Sequence, residues 1–314
     1  MKYLIYLLFG KNKGGLKSEL IYSLFSLDKV ADEWCRKNVE VLIYTDEKIE
    51  IPPRLAGISI SFSFLDPKDI EEWIRKGNGC SLILKAMVMQ DFLRTFLSTG
   101  IFIDTDTYFT RNPAPLFKTI GQGYILMHLK EYPFNHRPEI HSYFSRKSIG
   151  QSNGPRINGT SSYYMWNSGV IGVNPACATL MPEIISLIEQ MAYDKEWSKD
   201  NHRLLEQVSY SYHLQLQKSK LLAAENYIVH YWFFKQSRFL LAKYFDFFYG
   251  SDIAELEKLI QENGLEDSEF NSVTYDELPL MMFRLMKKFE MIENYHFECL
   301  PSDSYIGKVL RSCD

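Results

Sequence analysis

Gly100-Ile101-Phe102-Ile103-Asp104-Thr105-Asp106-Thr107-Tyr108-Phe109 is the stretch on which the reading of this chain turns. An apolar run ends in two carboxylates one residue apart. Side chains alternate along an extended strand, so positions i and i+2 project to the same side. Asp104 and Asp106 are therefore expected to converge at the carboxyl end of a buried strand. Adjacent anions repel unless a cation joins them, and hard oxygen ligands suit Mg²⁺ or Mn²⁺. A divalent ion held by carboxylates is also a means of neutralising a diphosphate. The stretch thus points to chemistry on a nucleotide or a nucleotide-activated substrate.

On its amino-terminal side the chain alternates strand and helix. Residues 2–9 are a continuous apolar run, the pattern of a strand covered on both faces. Helical spacing follows over 16–34, through Leu16, Leu20, Leu24, Leu27, Ala31 and Trp34. Strands are expected at Val39–Tyr44 and Ile58–Phe64, and a helix at Lys68–Lys76 with Asp66 as cap and Pro67 in the first turn. A further helix spans Leu82–Leu97. Strands separated by helices imply a doubly wound α/β sheet, on which ligands bind at the carboxyl ends of the strands. Phe9, Gly10, Asp46 and the Asp104/Asp106 pair all fall at such ends, where they can share one crevice.

Beyond the motif the pattern is less regular. The span Tyr132 to Tyr164 reads as a lid or binding loop, or equally as a surface excursion with a hairpin. Trp166-Asn167-Ser168-Gly169-Val170 then enters another strand through a polar turn, and helices are expected over 177–193 and Asp200–Tyr212. From about Gln236 the composition shifts to amphipathic helices at Phe239–Phe248, Ile253–Glu262 and Tyr275–Ile292, with Asn263-Gly264 as a stop. This divides the chain into a catalytic domain over 1–235 and a helical extension over 236–314.

The chain has 314 residues, enough for a substantial core, and hydrophobic and charged fractions of 46% and 24% describe an ordinary globular protein. A formal charge of −4 gives no general attraction to nucleic acid. The 20 Tyr and 21 Phe are read chiefly as core residues. Five scattered cysteines form no C-x-x-C pair, which fits free thiols in a reducing compartment. Tyr3–Phe9 resembles a signal peptide's apolar region, yet no small-x-small cleavage site follows and Gly10-Lys11-Asn12-Lys13 comes next. It is read as a first buried strand. No run approaches the roughly 20 apolar residues of a spanning helix. A cytoplasmic protein is expected, with peripheral contact at the inner membrane face through residues 236–292 as an option.

The G-x-x-x-D-x-D pattern at Gly100–Asp106, with Tyr164–Pro175, resembles nucleotide-sugar glycosyltransferases of the GT-A fold, in the manner of the glycogenin- and galactosyltransferase-like and initiating-mannosyltransferase-like families. The resemblance covers roughly Lys2 to Lys235. It implies a GT-A-like (Rossmann-like) fold with a mixed, mainly parallel sheet flanked by helices. It implies Asp104 and Asp106 as ligands of Mn²⁺ or Mg²⁺ and donor, with His230 as third metal ligand. Lys85 and Lys235 are implied near the donor diphosphate, Asn167 facing the donor sugar, and Glu206-Gln207 near the reacting carbon. The glycogenin-like ending H-x-x-G-x-x-K-P-W is replaced by His230-Tyr231-Trp232-Phe233-Phe234-Lys235, without the glycine and with the lysine one residue closer. Thr45-Asp46 ends the second strand where a nucleotide base would lie.

Each residue also has a plain structural reading. Lys85 fits an exposed helix lysine, Asn167 a turn residue, Asp46 a helix cap and His230 a satisfied core histidine. Glu206, beside Leu204, Leu205 and Val208, is expected to be partly buried and to need a partner. It is the candidate for the carboxylate across the sugar from the leaving group. The activity so implied is transfer of a hexose from a nucleotide sugar, UDP-sugar before GDP-sugar, to a glycan or lipid-linked saccharide acceptor, in capsular polysaccharide or lipopolysaccharide synthesis. The resemblance leans toward retention of anomeric configuration. Two rivals remain. Haloacid-dehalogenase-like phosphatases also open with an apolar strand and D-x-D, but want Thr or Val where Tyr108 stands and place the motif on the first strand. A non-catalytic scaffold of the same fold could instead use the carboxyl-terminal helices to lie on a membrane.

Overall fold

In strands covered on both faces, alternate residues must each find an apolar neighbour, and the first strand does so over residues 3–8. The structure, a computed structural model, describes residues 1–10, 14–146, 162–195, 197, 199–217 and 219–232. Lys235 and the expected helices of 236–314 lie outside them. Strands β1 (Lys2–Leu8), β2 (Val39–Thr45), β3 (Ser59–Phe64), β4 (Gly100–Ile103), β6 (Tyr124–Met127), β9 (Val170–Val173) and β10 (Lys220–Ala223) form one sheet in the order β3-β2-β1-β4-β9-β6-β10. Only β9 is antiparallel to its neighbours, so the sheet is mixed and mainly parallel, as expected.

On one side, Leu4, Tyr6, Leu8, Val41, Ile43 and Ile101 pack with helices α1 (Gly14–Val30) and α5 (Ala114–Gly121). On the other, Ile5, Leu42, Tyr44, Phe102 and Ile171 pack with α4 (Ile83–Thr95), α7 (Met181–Ala192) and α8 (Leu205–Leu216). Each fully buried Leu, Ile or Phe contributes about 1.5–3 kcal/mol, so both faces must be covered for such strands to persist. Gly100 allows the closest of these contacts, because a Cβ there would lie 2.5 Å from the Phe92 ring of α4. Helix α3 (Pro67–Lys76) begins as the sequence predicts, with the Asp66 carboxylate accepting the Lys68 N–H at 2.8 Å.

Two expectations are corrected. The helix expected over 16–34 is two helices, α1 and α2 (Glu33–Asn38), because Asp32 caps the second by accepting the Cys35 N–H at 2.8 Å. The span 132–164 is not all irregular: β7 (Lys130–Pro133) pairs with β8 (Tyr164–Trp166), and α6 (Pro138–Arg146) buries Ile140, Tyr143 and Phe144. Those three apolar side chains, at helical spacing behind Pro138, outweigh the polar residues between them. Finally, β10 and the small antiparallel pair β5 (Thr107–Phe109) and β11 (Ile228–His230) complete the described chain. Cys35, Cys80 and Cys177 are free and buried, and no described helix is long and apolar enough to cross a membrane.

Candidate metal centre

Strand β4 ends at Ile103, so Asp104-Thr105-Asp106 occupies a bend between β4 and β5 rather than an extended strand. The carboxylates converge all the same, for a different reason than strand alternation. Backbone bonds hold the bend: Asp104 N–H donates to Gly169 O at 2.9 Å, and Tyr231 N–H to Asp106 O at 3.0 Å. The Thr107 hydroxyl donates to Asp104 O at 2.8 Å and meets Ser23 Oγ at 3.1 Å, which in turn meets Tyr6 Oη at 2.8 Å. The β5–β11 register sets His230 opposite Thr107. Ligand atoms of Asp104, Asp106 and His230 consequently lie within 4.8 Å of one another, with His230 Nε2 3.2 Å from Asp106 Oδ1 and 3.7 Å from Asp104 Oδ2.

Lys85 is not an exposed helix lysine. Helix α4 carries it under the bend, where Nζ lies 3.0 Å from each Asp104 oxygen, 2.9 Å from Glu206 Oε1 and 3.0 Å from the Ser168 carbonyl. Burial alone would lower the lysine's pKa, but the Asp104 and Glu206 carboxylates outweigh it and hold the ammonium above its usual range. Glu206, on α8, is buried as expected and has its partners in Lys85 and the Ser168 hydroxyl at 3.1 Å. Burial pushes its carboxyl up while Lys85 pulls it down, with a net rise.

Asn167 sits between β8 and β9. Its Oδ1 accepts the Gly169 N–H at 3.0 Å and faces His230 Nδ1 at 2.8 Å, while its Nδ2 donates to Glu131 Oε1 at 3.1 Å. Gln207 Nε2 donates to the other Glu131 oxygen at 2.7 Å. A side chain at Gly169 would overlap the His230 ring, so only hydrogen fits there. Behind His230 the wholly buried His128 stacks edge-on at 5.5 Å and contacts the Ile228 carbonyl at 3.0 Å. Burial, with His230 beside it, pushes the His128 pKa down to about 3, so it is neutral.

Seven expected residues therefore come together: Lys85, Asp104, Asp106, Asn167, Glu206, Gln207 and His230. Sequence reasoning missed Glu131, the shared partner of Asn167 and Gln207. Nothing in its Lys-Glu-Tyr-Pro setting marks it, because its role depends on the β7–β8 pairing. Gly10 and Asp46 also meet, the Gly10 N–H donating to Asp46 Oδ2 at 3.1 Å, with Gly10 at φ +96°. Thr45 is fully buried and its hydroxyl is engaged by its own turn, at 3.0 Å from Glu47 O. Phe9 packs half-buried against the second core cluster.

Two carboxylates and an imidazole form a donor set that fits Mn²⁺, and Mg²⁺ with less nitrogen preference. Asp104 and Asp106 side chains are 25% and 19% exposed, so an ion can reach them from solvent. Burial would lower the His230 pKa, but Asp106 and Asp104 outweigh it and raise it, so negative charge there already attracts a cation. No family model and no curated protein matches the chain. Among solved structures it is similar to mouse xyloside xylosyltransferase 1 in its apo form. That likeness has 14% identity, covers 72% of this chain and 86% of the other, and has a TM-score of 0.48.

Proposed function

We propose that this protein is a metal-dependent glycosyltransferase that moves a hexose from a nucleotide sugar, UDP-sugar first, to a glycan or lipid-linked saccharide acceptor in surface polysaccharide synthesis, with retention. The observation that carries the reading is the meeting of Asp104, Asp106 and His230 at the carboxyl end of the sheet, with Lys85 fixed beside them. A divalent ion held by these three residues supplies positive charge to a departing diphosphate. Lys85 keeps the Asp104 carboxylate aimed and adds its own charge. Asn167, in the turn after β8, is the residue for the donor sugar, and the Gly10–Asp46 contact at the ends of β1 and β2 provides a wall for the nucleoside, flanked by Phe9 and the Thr45 turn. Lys235 is retained as a diphosphate contact on the resemblance alone.

The state of the carboxylates supports retention over inversion. An inverting enzyme needs a base free to take the acceptor proton. Both oxygens of Glu206 are engaged, by Lys85 and Ser168, and both of Glu131, by Asn167 and Gln207. Glu206 and Gln207 on this reading shape the pocket beside the reacting carbon. Phosphatase chemistry fits less well, because its nucleophile would be Asp104, which Lys85 ties on both oxygens.

A donor screen tests the reading: full-length protein with Mn²⁺ and UDP- and GDP-sugars, following nucleoside diphosphate release. Release that needs Mn²⁺ and vanishes in a folded Asp106→Ala variant is expected. Undiminished turnover by that variant, or phosphate release from monoesters in place of diphosphate release, overturns it.

A further inference from the structure

The geometry points to Glu131 as a positioning residue that, through Asn167, fixes the proton of neutral His230 on Nδ1 and leaves Nε2 bare for a divalent cation. The inference rests on the reading of Asp104, Asp106 and His230 as a metal site. It begins at Gly169, whose backbone N–H can only donate, so the Asn167 atom that it meets at 3.0 Å must be the oxygen. The amide nitrogen then faces Glu131 Oε1 at 3.1 Å, and a carboxylate accepts it. Two independent partners, one donor and one acceptor, thus forbid the amide from turning over. His230 Nδ1 lies 2.8 Å from that same fixed oxygen, so Nδ1 must carry hydrogen.

The other nitrogen is the one that matters to an ion. Nε2 lies 3.2 Å from Asp106 Oδ1. A neutral ring freed of Asn167 gains most by placing its proton on Nε2 and donating to Asp106, in the space between imidazole and carboxylates. The same arrangement recurs where an outer partner holds one ring nitrogen so that the other can ligate. Here the outer partner is an amide, which offers both an acceptor and a donor and so needs a second group to decide which faces the ring. Glu131 shares that decision with the Gly169 N–H, holding the amide nitrogen while Gly169 holds the oxygen. Gln207, at 2.7 Å from its other oxygen, keeps the carboxylate from swinging away.

The test uses the full chain labelled with ¹⁵N-histidine. Ring ¹⁵N–¹H correlations followed from about pH 6 to about pH 10 read the neutral tautomer, and His230 is assigned by the signal missing in His230→Gln. Mn²⁺ affinity is measured on the same proteins by titration calorimetry. Wild type is expected to show Nδ1–H. Glu131→Ala should shift His230 toward Nε2–H and weaken Mn²⁺ binding roughly ten- to a hundredfold. Glu131→Gln, whose carbonyl can still accept from Asn167 once Gln207 turns its amide, should keep both properties of wild type. Glu131→Met keeps the volume if the alanine variant does not fold. An unchanged tautomer in the alanine or methionine variant overturns the inference whatever the affinity, and so does an unchanged affinity. Wild type that binds no Mn²⁺ overturns the metal reading instead, and the tautomer comparison then decides the relay by itself.

Discussion

The candidate centre has two sides made of the same kinds of group in opposite surroundings. On one, Asp104 and Asp106 are 25% and 19% exposed and face His230 across a space where a cation fits. On the other, Lys85 and Glu206 are 8% and 3% exposed and neutralise each other at 2.9 Å. On the first side the Asp106 charge can be lost without stranding a buried ion, because His230 beside it can be neutral, whereas Asp104 is also tied to Lys85. The Lys85 charge on the second side cannot be lost in this way, since removing it leaves Glu206 buried without a countercharge. The exposed side should therefore control chemistry with little effect on stability, whereas the buried side should control both.

The largest break in that contrast should come from Lys85→Met, which strands Glu206 and one flank of Asp104. A loss of about 3–5 kcal/mol in denaturant unfolding is expected, with most of it recovered in Lys85→Met/Glu206→Leu. A single variant as stable as wild type would erase the distinction. On the exposed side, Asp106→Asn should slow diphosphate release about a hundredfold, or ~3 kcal/mol, while the unfolding midpoint stays in place. A midpoint that falls with the activity would show the ligand to be structural.

Gly169→Ala sits between the two sides. Its methyl group must push the His230 ring, so about 1–3 kcal/mol of overpacking is expected together with weaker Mn²⁺ binding. The mildest probe is pH. His213, on the same helix as Glu206, has its pKa lowered to about 4 by burial. The unfolded histidine takes up a proton near pH 6.5 and the folded one does not, so stability falls as pH drops from there toward 4. The slope is at most about 1.4 kcal/mol per pH unit. His213→Gln should remove this share of the acid sensitivity. Subtracting the two curves isolates it from Glu131 and Glu206, whose raised values act in the opposite sense.

Parts of the molecule set by short-range rules were legible from the chain. The apolar runs of β1, β2 and β4, the capped start of α3 and the D-x-D pair after β4 all announce themselves within ten residues, although the bend that carries the pair does not. The resemblance put Lys85 near the donor diphosphate, but its bond to Asp104 was not legible from the chain. Glu131 was not legible at all, since its function comes from a two-stranded ribbon closed by β8, far along the chain. The reversed direction of β9 leaves no local mark either, because a strand buried on both faces reads the same in either sense. Helix α6 was hidden by Pro133 upstream and Pro138 at its first position, although Ile140, Tyr143 and Phe144 carry the right spacing.

The Lys85 ammonium reaches the Ser168 carbonyl across 83 residues, and His230 reaches Asn167 across 63. Contacts of such separation are costly in loop entropy and form only once the intervening sheet is in place. No fragment of this chain can rehearse the pocket by itself. On the proposed reading, cation capture would thus certify completed folding, because Asp104, Asp106 and His230 meet only once the last described strand has docked.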